Sequence, residues 1–386
     1  MADDFKYHID HHAGLLTPPA LADARAAHAA GTLGAAELKD AEDQAIREVL
    51  RAQRRLGLSS LGDGQLRRRN SLAPVYDHVD GFAPQPCAPG PIAGLVGPAL
   101  APEIRALTGT PKPNGRLVEN EAAFLAGATD RSLLLALPSP GYVLALSRDA
   151  AAPHDGAPAA GADVEANAAE ASTEAAAALA AVIRDEIAAV AQQGIAYVLL
   201  QNPLAGVLLT TNGRERAQVA GVDPDELLDA MLTADAAAIE GLEARTPENF
   251  RVGLDLTTAA AAPGAEGAAG AGYDPSAVTA FLNRQPYARL CVEYPKDEAA
   301  RFPLELLKPG TVVSLGVGDV SDEEVEDVDE VVARIDAAAE VVDIDDIAIS
   351  TNGTFAAAPA AVTEVVQYAK LQVVEMTARY FWGNEL

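Results

Sequence analysis

Cysteine is nearly absent, with Cys87 and Cys291 the only two thiols in 386 residues. Two thiols supply neither a disulfide framework nor a Cys-x-x-Cys metal motif. Lysine is scarce too: six of 28 basic residues, set against 56 acidic ones. The resulting net charge of −28 repels nucleic acid and anionic lipid, so neither is an expected partner. No run of about 18 apolar residues occurs, and no membrane span is expected. The opening Met1-Ala2-Asp3-Asp4-Phe5-Lys6 lacks a basic flank followed by an apolar stretch, which makes the cytoplasm the expected location. No Gly-x-Gly-x-x-Gly turn follows an early strand, which argues against dinucleotide binding.

What is present is a core. The chain is 49% hydrophobic, enough for one large domain or two smaller ones. Short apolar runs ending in polar or turn residues predict strands at 7–11, 57–61, 132–137, 195–200, 251–255, 290–293, 312–317 and 344–349. Helical patterns alternate with them, at 35–56, around 121–126, and at 175–192, 225–242, 276–283, 297–307, 322–339 and 362–380. Asp223-Pro224 and Asp274-Pro275 are helix starts, and Ser321-Asp322-Glu323-Glu324 fits a capping box. Eight βα units in series predict an α/β fold, a single (β/α)8 TIM-type barrel over residues 1–386. Long loop excursions are expected after strands 2, 3 and 5. They are the Pro- and Gly-rich 71–113, a low-complexity exposed loop at 149–174, and a flexible Ala/Gly loop at 257–273.

Barrel chemistry sits at the C-terminal strand ends. Those ends bring together His11, His12, Asp63, Gln65, Ser139, Gln201, Asn202, Asp255, Glu293, Asp319 and Asn352. The adjoining Arg67-Arg68-Arg69 suits an anionic group on a substrate, or a solvated turn, with Arg67 taken as the binding candidate. The histidines suit a metal, general-base or orienting role. Cys291, two residues before Glu293, falls on the same strand face but deeper, as a core residue.

Several motifs share the order and spacing of one family. His12-Ala13-Gly14-Leu15-Leu16 with Pro18-Pro19, Asp63-Gly64-Gln65 with Arg67-Arg68, Pro138-Ser139-Pro140 and Tyr197 through Gln201-Asn202-Pro203 carry the likeness, with Glu326 through Ile335 as a late helix. In these segments the chain resembles the cobalamin-independent methionine synthases, especially the short single-barrel members. The resemblance covers most of the chain and implies a barrel, zinc and methyl transfer to homocysteine.

The departures fall at the functional positions. The family's His-x-Cys, Glu and late Cys zinc ligands correspond here to Gly253, Asp255, Glu293 and Asn352. Glycine offers no ligand and Asn replaces a thiolate, so no cofactor, and no zinc in particular, is expected. Asp255, Glu293 and Asn352 suit either a harder cation held through oxygen or a hydrogen-bonded polar cluster. The family's amino-acid-binding Ser and Arg are Leu15 and Pro18. Three carboxylates have become the amides Gln65, Gln201 and Asn202, which keeps shape but removes charge and proton transfer.

The expected function is a small molecule bound or transformed within methyl-transfer or sulfur amino-acid chemistry, without zinc. Asp255 and Glu293 are its acid and base. The other expectations are a non-catalytic partner of a complete enzyme, with a protein partner or homo-oligomer, and, after that, a genuine homocysteine methyltransferase.

Overall fold

The computed structural model describes residues 8–151, 162–258 and 272–383. Two sheets are present among the described residues. A short antiparallel hairpin joins β1 (Val79–Phe82) to β2 (Leu107–Pro113). The main sheet is wholly parallel and runs in chain order: β3 (Leu134–Pro138), β4 (Tyr197–Gln201), β5 (Arg251–Asp255), β6 (Arg289–Glu293), β7 (Val312–Gly318) and β8 (Ile347–Thr351). β3, β4 and β8 are buried at every position. That follows from parallel strands covered on both faces, which read as unbroken apolar runs instead of alternating ones.

The first two predicted strands shrink to single parallel bridges. Ile9 pairs with Ile349 beside β8, and Leu61 pairs with Leu133 beside β3. A third bridge, Gly14 to Gly64, links the two segments to each other. Residue 7 lies outside the described residues. Longer ladders are prevented locally: Ala13, Gly64 and Gln65 take φ of 62°, 70° and 56°, which turns the chain out of extended conformation.

The helix Ala35–Leu56 matches its sequence pattern. Ala45, Ile46, Val49, Leu50 and Gln53 are buried at helical spacing, and Gly57 ends the helix at φ 81°. Other boundaries differ. Residues 162–174, expected as exposed loop, belong to a helix running Ala162–Gln192. Alanine has the highest helix propensity, and low complexity is no obstacle when the low-complexity residue is alanine. Helix Pro140–Ala151 fills the start of that same excursion, and residues 152–161 lie outside the described residues. The expected helix at 297–307 is two 3₁₀ turns, Glu298–Ala300 and Leu304–Leu306. Pro303 between them has no N–H to continue a helix. The helix expected from 322 starts at Val328, capped by Asp327, whose side chain accepts from the N–H groups of Asp329 and Glu330. The excursion 71–113 holds short helices Ala73–His78 and Pro91–Val96 as well as the hairpin. Most of the flexible loop expected at 257–273 lies outside the described residues.

The sheet register positions the site. Pro138, Gln201, Asp255 and Cys291 are successive cross-strand partners, so the C-terminal ends of β3, β4 and β5 stand level. Inside the curve of the strands, Ala13, Leu134, Ala136, Tyr197, Leu199 and Cys291 form their own small apolar cluster.

Candidate functional site

Below the strand ends lies a buried charged layer. Arg289 Nε stands 2.9 Å from Asp10 Oδ2, with both side chains almost wholly buried. Tyr197 Oη donates to the same oxygen at 3.5 Å, and the Cys291 thiol at 3.7 Å. Burial pushes the Cys291 thiol up, further raised by Asp10 and Asp255, so it stays protonated and unreactive. A Cβ on Gly253 would lie 2.4 Å from Tyr197 Oη. The tyrosine therefore fills the space into which a side chain at 253 would project.

Above this layer sits a histidine–carboxylate pair. His12 Nδ1 is 2.8 Å from Asp255 Oδ2, and His12 Nε2 is 2.7 Å from the Thr351 carbonyl. A carbonyl only accepts, so Nε2 carries a hydrogen. Burial alone would lower the His12 pKa, but the Asp255 charge and hydrogen bond, with Asp10 and Thr351, raise it to about 9. His12 is thus an imidazolium donating from both nitrogens at neutral pH. The other oxygen, Asp255 Oδ1, accepts from Thr257 N at 3.0 Å and Thr257 Oγ1 at 2.6 Å. His11 differs: burial lowers its pKa, and its Nε2 meets the Ser60 carbonyl at 3.0 Å.

A cavity of about 330 Å³ opens over these strand ends. That volume is at the lower end of small-molecule pockets, roughly 300–1,000 Å³. Of the residues singled out from sequence, Gln65, Gln201 and Asp255 line it. Leu15, Leu66, Tyr142 and a row of prolines and alanines supply its apolar walls.

The remaining candidates serve other contacts. Glu293 Oε1 accepts from Thr258 N at 2.7 Å and Thr258 Oγ1 at 2.8 Å, beside the cavity wall and not in it. Burial raises its pKa to about 6, against the Thr258 hydrogen bonds and helped by Asp319 and Asp255. Asp63 is likewise raised to about 6, by burial and then by Glu121. Asn202 caps the helix Pro203–Leu208 through Ala205 N, and its amide reaches Asp235 at 3.3 Å. Ser139 Oγ accepts from Tyr142 N at 3.1 Å, another helix-start contact. Asn352 Oδ1 accepts from Val320 N at 3.0 Å, and its amide donates to Asp319 at 3.3 Å. Arg67 turns away, toward Asp43 and Glu42 on the helix Ala35–Leu56 and over the Phe124 ring.

Arg68 and Arg69 line the cavity instead, together with Arg25. Three consecutive arginines carry no sign of which one turns inward. Arg25 and Tyr142 sit on helices that the sequence pattern did not mark, and only their proximity to Pro18-Pro19 and Pro138-Ser139-Pro140 hinted at them.

Gly253 has no donor, Asp255 is bound to His12 and Thr257, Glu293 to Thr258, and Asn352 to Val320. Among the described residues no group of three or more His, Cys, Asp or Glu side chains converges as a metal site.

No known family's sequence profile matches the chain. It is 26% identical over 383 residues to the uncharacterized protein YxjH of Bacillus subtilis (strain 168), covering 97% of this chain and 95% of that protein. YxjG of the same organism is 24% identical over 396 residues, with the same coverage. Among solved structures, the B12-independent methionine synthase from Shewanella sp. W3-18-1, in complex with selenomethionine, superposes with a TM-score of 0.72. The two are 18% identical, and 97% of each chain is covered. The fold is therefore that of a methionine-synthase-like α/β protein, shared across nearly the whole length. Among the described residues no helix is long and apolar enough to cross a membrane.

Proposed function

We propose that the chain is a single closed (β/α)8 barrel that binds a small molecule of sulfur amino-acid or methyl-transfer chemistry, and does so without zinc. The isolated parallel bridges support closure: Ile9 pairs with Ile349 of β8, Leu61 pairs with Leu133 next to β3, and Gly14 pairs with Gly64. The likeness to a methionine synthase solved with selenomethionine supports the substrate class. The observation that carries the reading is Asp255. It occupies a zinc-ligand position of the family the chain resembles, faces the cavity, and is neutralised there by a protonated histidine.

In this arrangement Asp255 is the acid–base candidate that faces the ligand, with His12 donating to its Oδ2. Thr257 fixes the carboxylate plane. Glu293 stands behind Thr258, outside the cavity wall, as the second carboxylate candidate, and burial raises its pKa to about 6, so it takes up a proton just below neutral pH.

The test titrates chelator-treated protein with L-homocysteine, L-methionine and N-acetyl-L-methioninamide, and assays methyl transfer from methylfolate to homocysteine with and without zinc. At least one compound should bind without metal, and Asp255→Asn should weaken that binding by about ten-fold. No homocysteine methylation is expected under either condition. Binding or turnover that appears only when zinc is added contradicts the reading.

A further inference from the structure

We propose that the cavity selects an uncharged, amide-bearing ligand, held between the side-chain amides of Gln65 and Gln201. The inference rests on the small-molecule reading above and specifies the chemistry of the ligand.

Both glutamines line the cavity and are 7% exposed. Gln65 Nε2 and Gln201 Oε1 are sealed from solvent and have no hydrogen-bond partner among the described residues. Every other strand-end amide of this site is committed: Asn202 caps a helix, and Asn352 holds Val320 N. Buried polar groups are ordinarily paired, so an unpaired donor and an unpaired acceptor in two side chains that line one cavity point to what fills it once those amides turn toward it. A ligand amide offers both complements, a carbonyl for the Gln65 N–H and an N–H for the Gln201 oxygen.

Backbone geometry strengthens the case at Gln65. It holds φ of 56°, in the left-handed region that a residue with a Cβ rarely adopts. Its N–H donates to Asp63 Oδ1 at 2.9 Å, which fixes the turn. Such a conformation is maintained where the placement of the side chain matters.

The charges of the described lining residues argue against a zwitterion. Arg68 is bound to Glu121 through Nε and Nη2 and to the Ala136 carbonyl at 2.7 Å. Arg69 is bound to Asp77 and Glu103, each within 2.7 Å. Arg25 reaches the Leu66 carbonyl and lies 3.7 Å from Glu42. Asp255 is matched by His12. Among the described residues, each lining cation and the lining carboxylate Asp255 already has its counter-charge. An ammonium or carboxylate entering the cavity would give up its hydration with no free opposite charge to meet it. Leu15, Leu66 and Tyr142 leave an apolar wall for the remainder of the ligand, such as a thioether chain.

The test is a matched pair. L-Methionine and N-acetyl-L-methioninamide share a side chain, but the second is uncharged and carries two amides. Calorimetric titration onto wild-type protein should show the uncharged compound binding at least about ten-fold more tightly. Gln201→Leu should cost that compound about ten-fold, and the near-isosteric Gln65→Glu should narrow or reverse the preference toward L-methionine. Equal or tighter binding of L-methionine to wild type overturns the inference and leaves the small-molecule reading standing. The inference is also overturned if Gln201→Leu and Gln65→Glu bind both compounds as wild type does. If neither compound binds, the inference is overturned, and the small-molecule reading falls with it when L-homocysteine fails to bind as well.

Discussion

Gly253 and Tyr197 show how one residue's identity depends on another's. The glycine looked from sequence like a ligand simply deleted, yet the tyrosine hydroxyl occupies the room beside it, 2.4 Å from where a Cβ would stand. Gly253→Ala should therefore destabilise the protein by about 1–3 kcal/mol, as overpacking of a tight core does. Urea unfolding checks this, and Tyr197→Phe in the same background should recover part of the loss by removing the nearest atom. His12 makes a second residue-scale prediction. Its folded pKa is raised to about 9 from an ordinary 6.5, so its contribution to stability is fully present below pH 6.5 and fades as pH rises through about 9. The urea midpoint of wild type should fall across that window, and His12→Gln should flatten the fall. A midpoint independent of pH from 6.5 to 10 would contradict an imidazolium at this position.

Among elements, the central strands were legible because burial on both faces writes itself as an apolar run: the run at 251–255 is β5 without adjustment. Helix starts were legible only where one capping candidate stood alone, as at Asp223 and Asp274. Where acidic residues are dense, several capping signals compete. Ser321-Asp322-Glu323-Glu324 reads as a start, but Asp327 caps the helix Val328–Ala339. Asp327→Ala should cost about 0.5–2 kcal/mol in urea unfolding, and Ser321→Ala clearly less. Equal costs would restore the earlier start. The inward residues of the site were less legible than the strands, because they depend on side-chain direction. Neither the choice of Arg68 over Arg67 nor the use of Asn202 and Ser139 as helix caps is written in residue type or spacing.

For the whole molecule, a net charge of −28 means that self-repulsion opposes the compact state. The pairs inside the fold, Arg289 with Asp10 and His12 with Asp255, are buried and little screened by salt, whereas the surface field is screened. Raising the salt concentration from low to physiological should thus increase the thermal midpoint. A decrease would mean that exposed ion pairs outweigh the repulsion.

The same separation of buried from exposed charge underlies the site. At the strand ends, Asp255 is held by His12 and Thr257, Glu293 by Thr258, and Asn352 by Val320 and Asp319. Zinc titration of chelator-treated protein against a chromophoric chelator tests this most directly. No one-to-one uptake is expected, and no difference between wild type and Asp255→Asn. Stoichiometric zinc binding that is lost in Asp255→Asn or Glu293→Gln would contradict it.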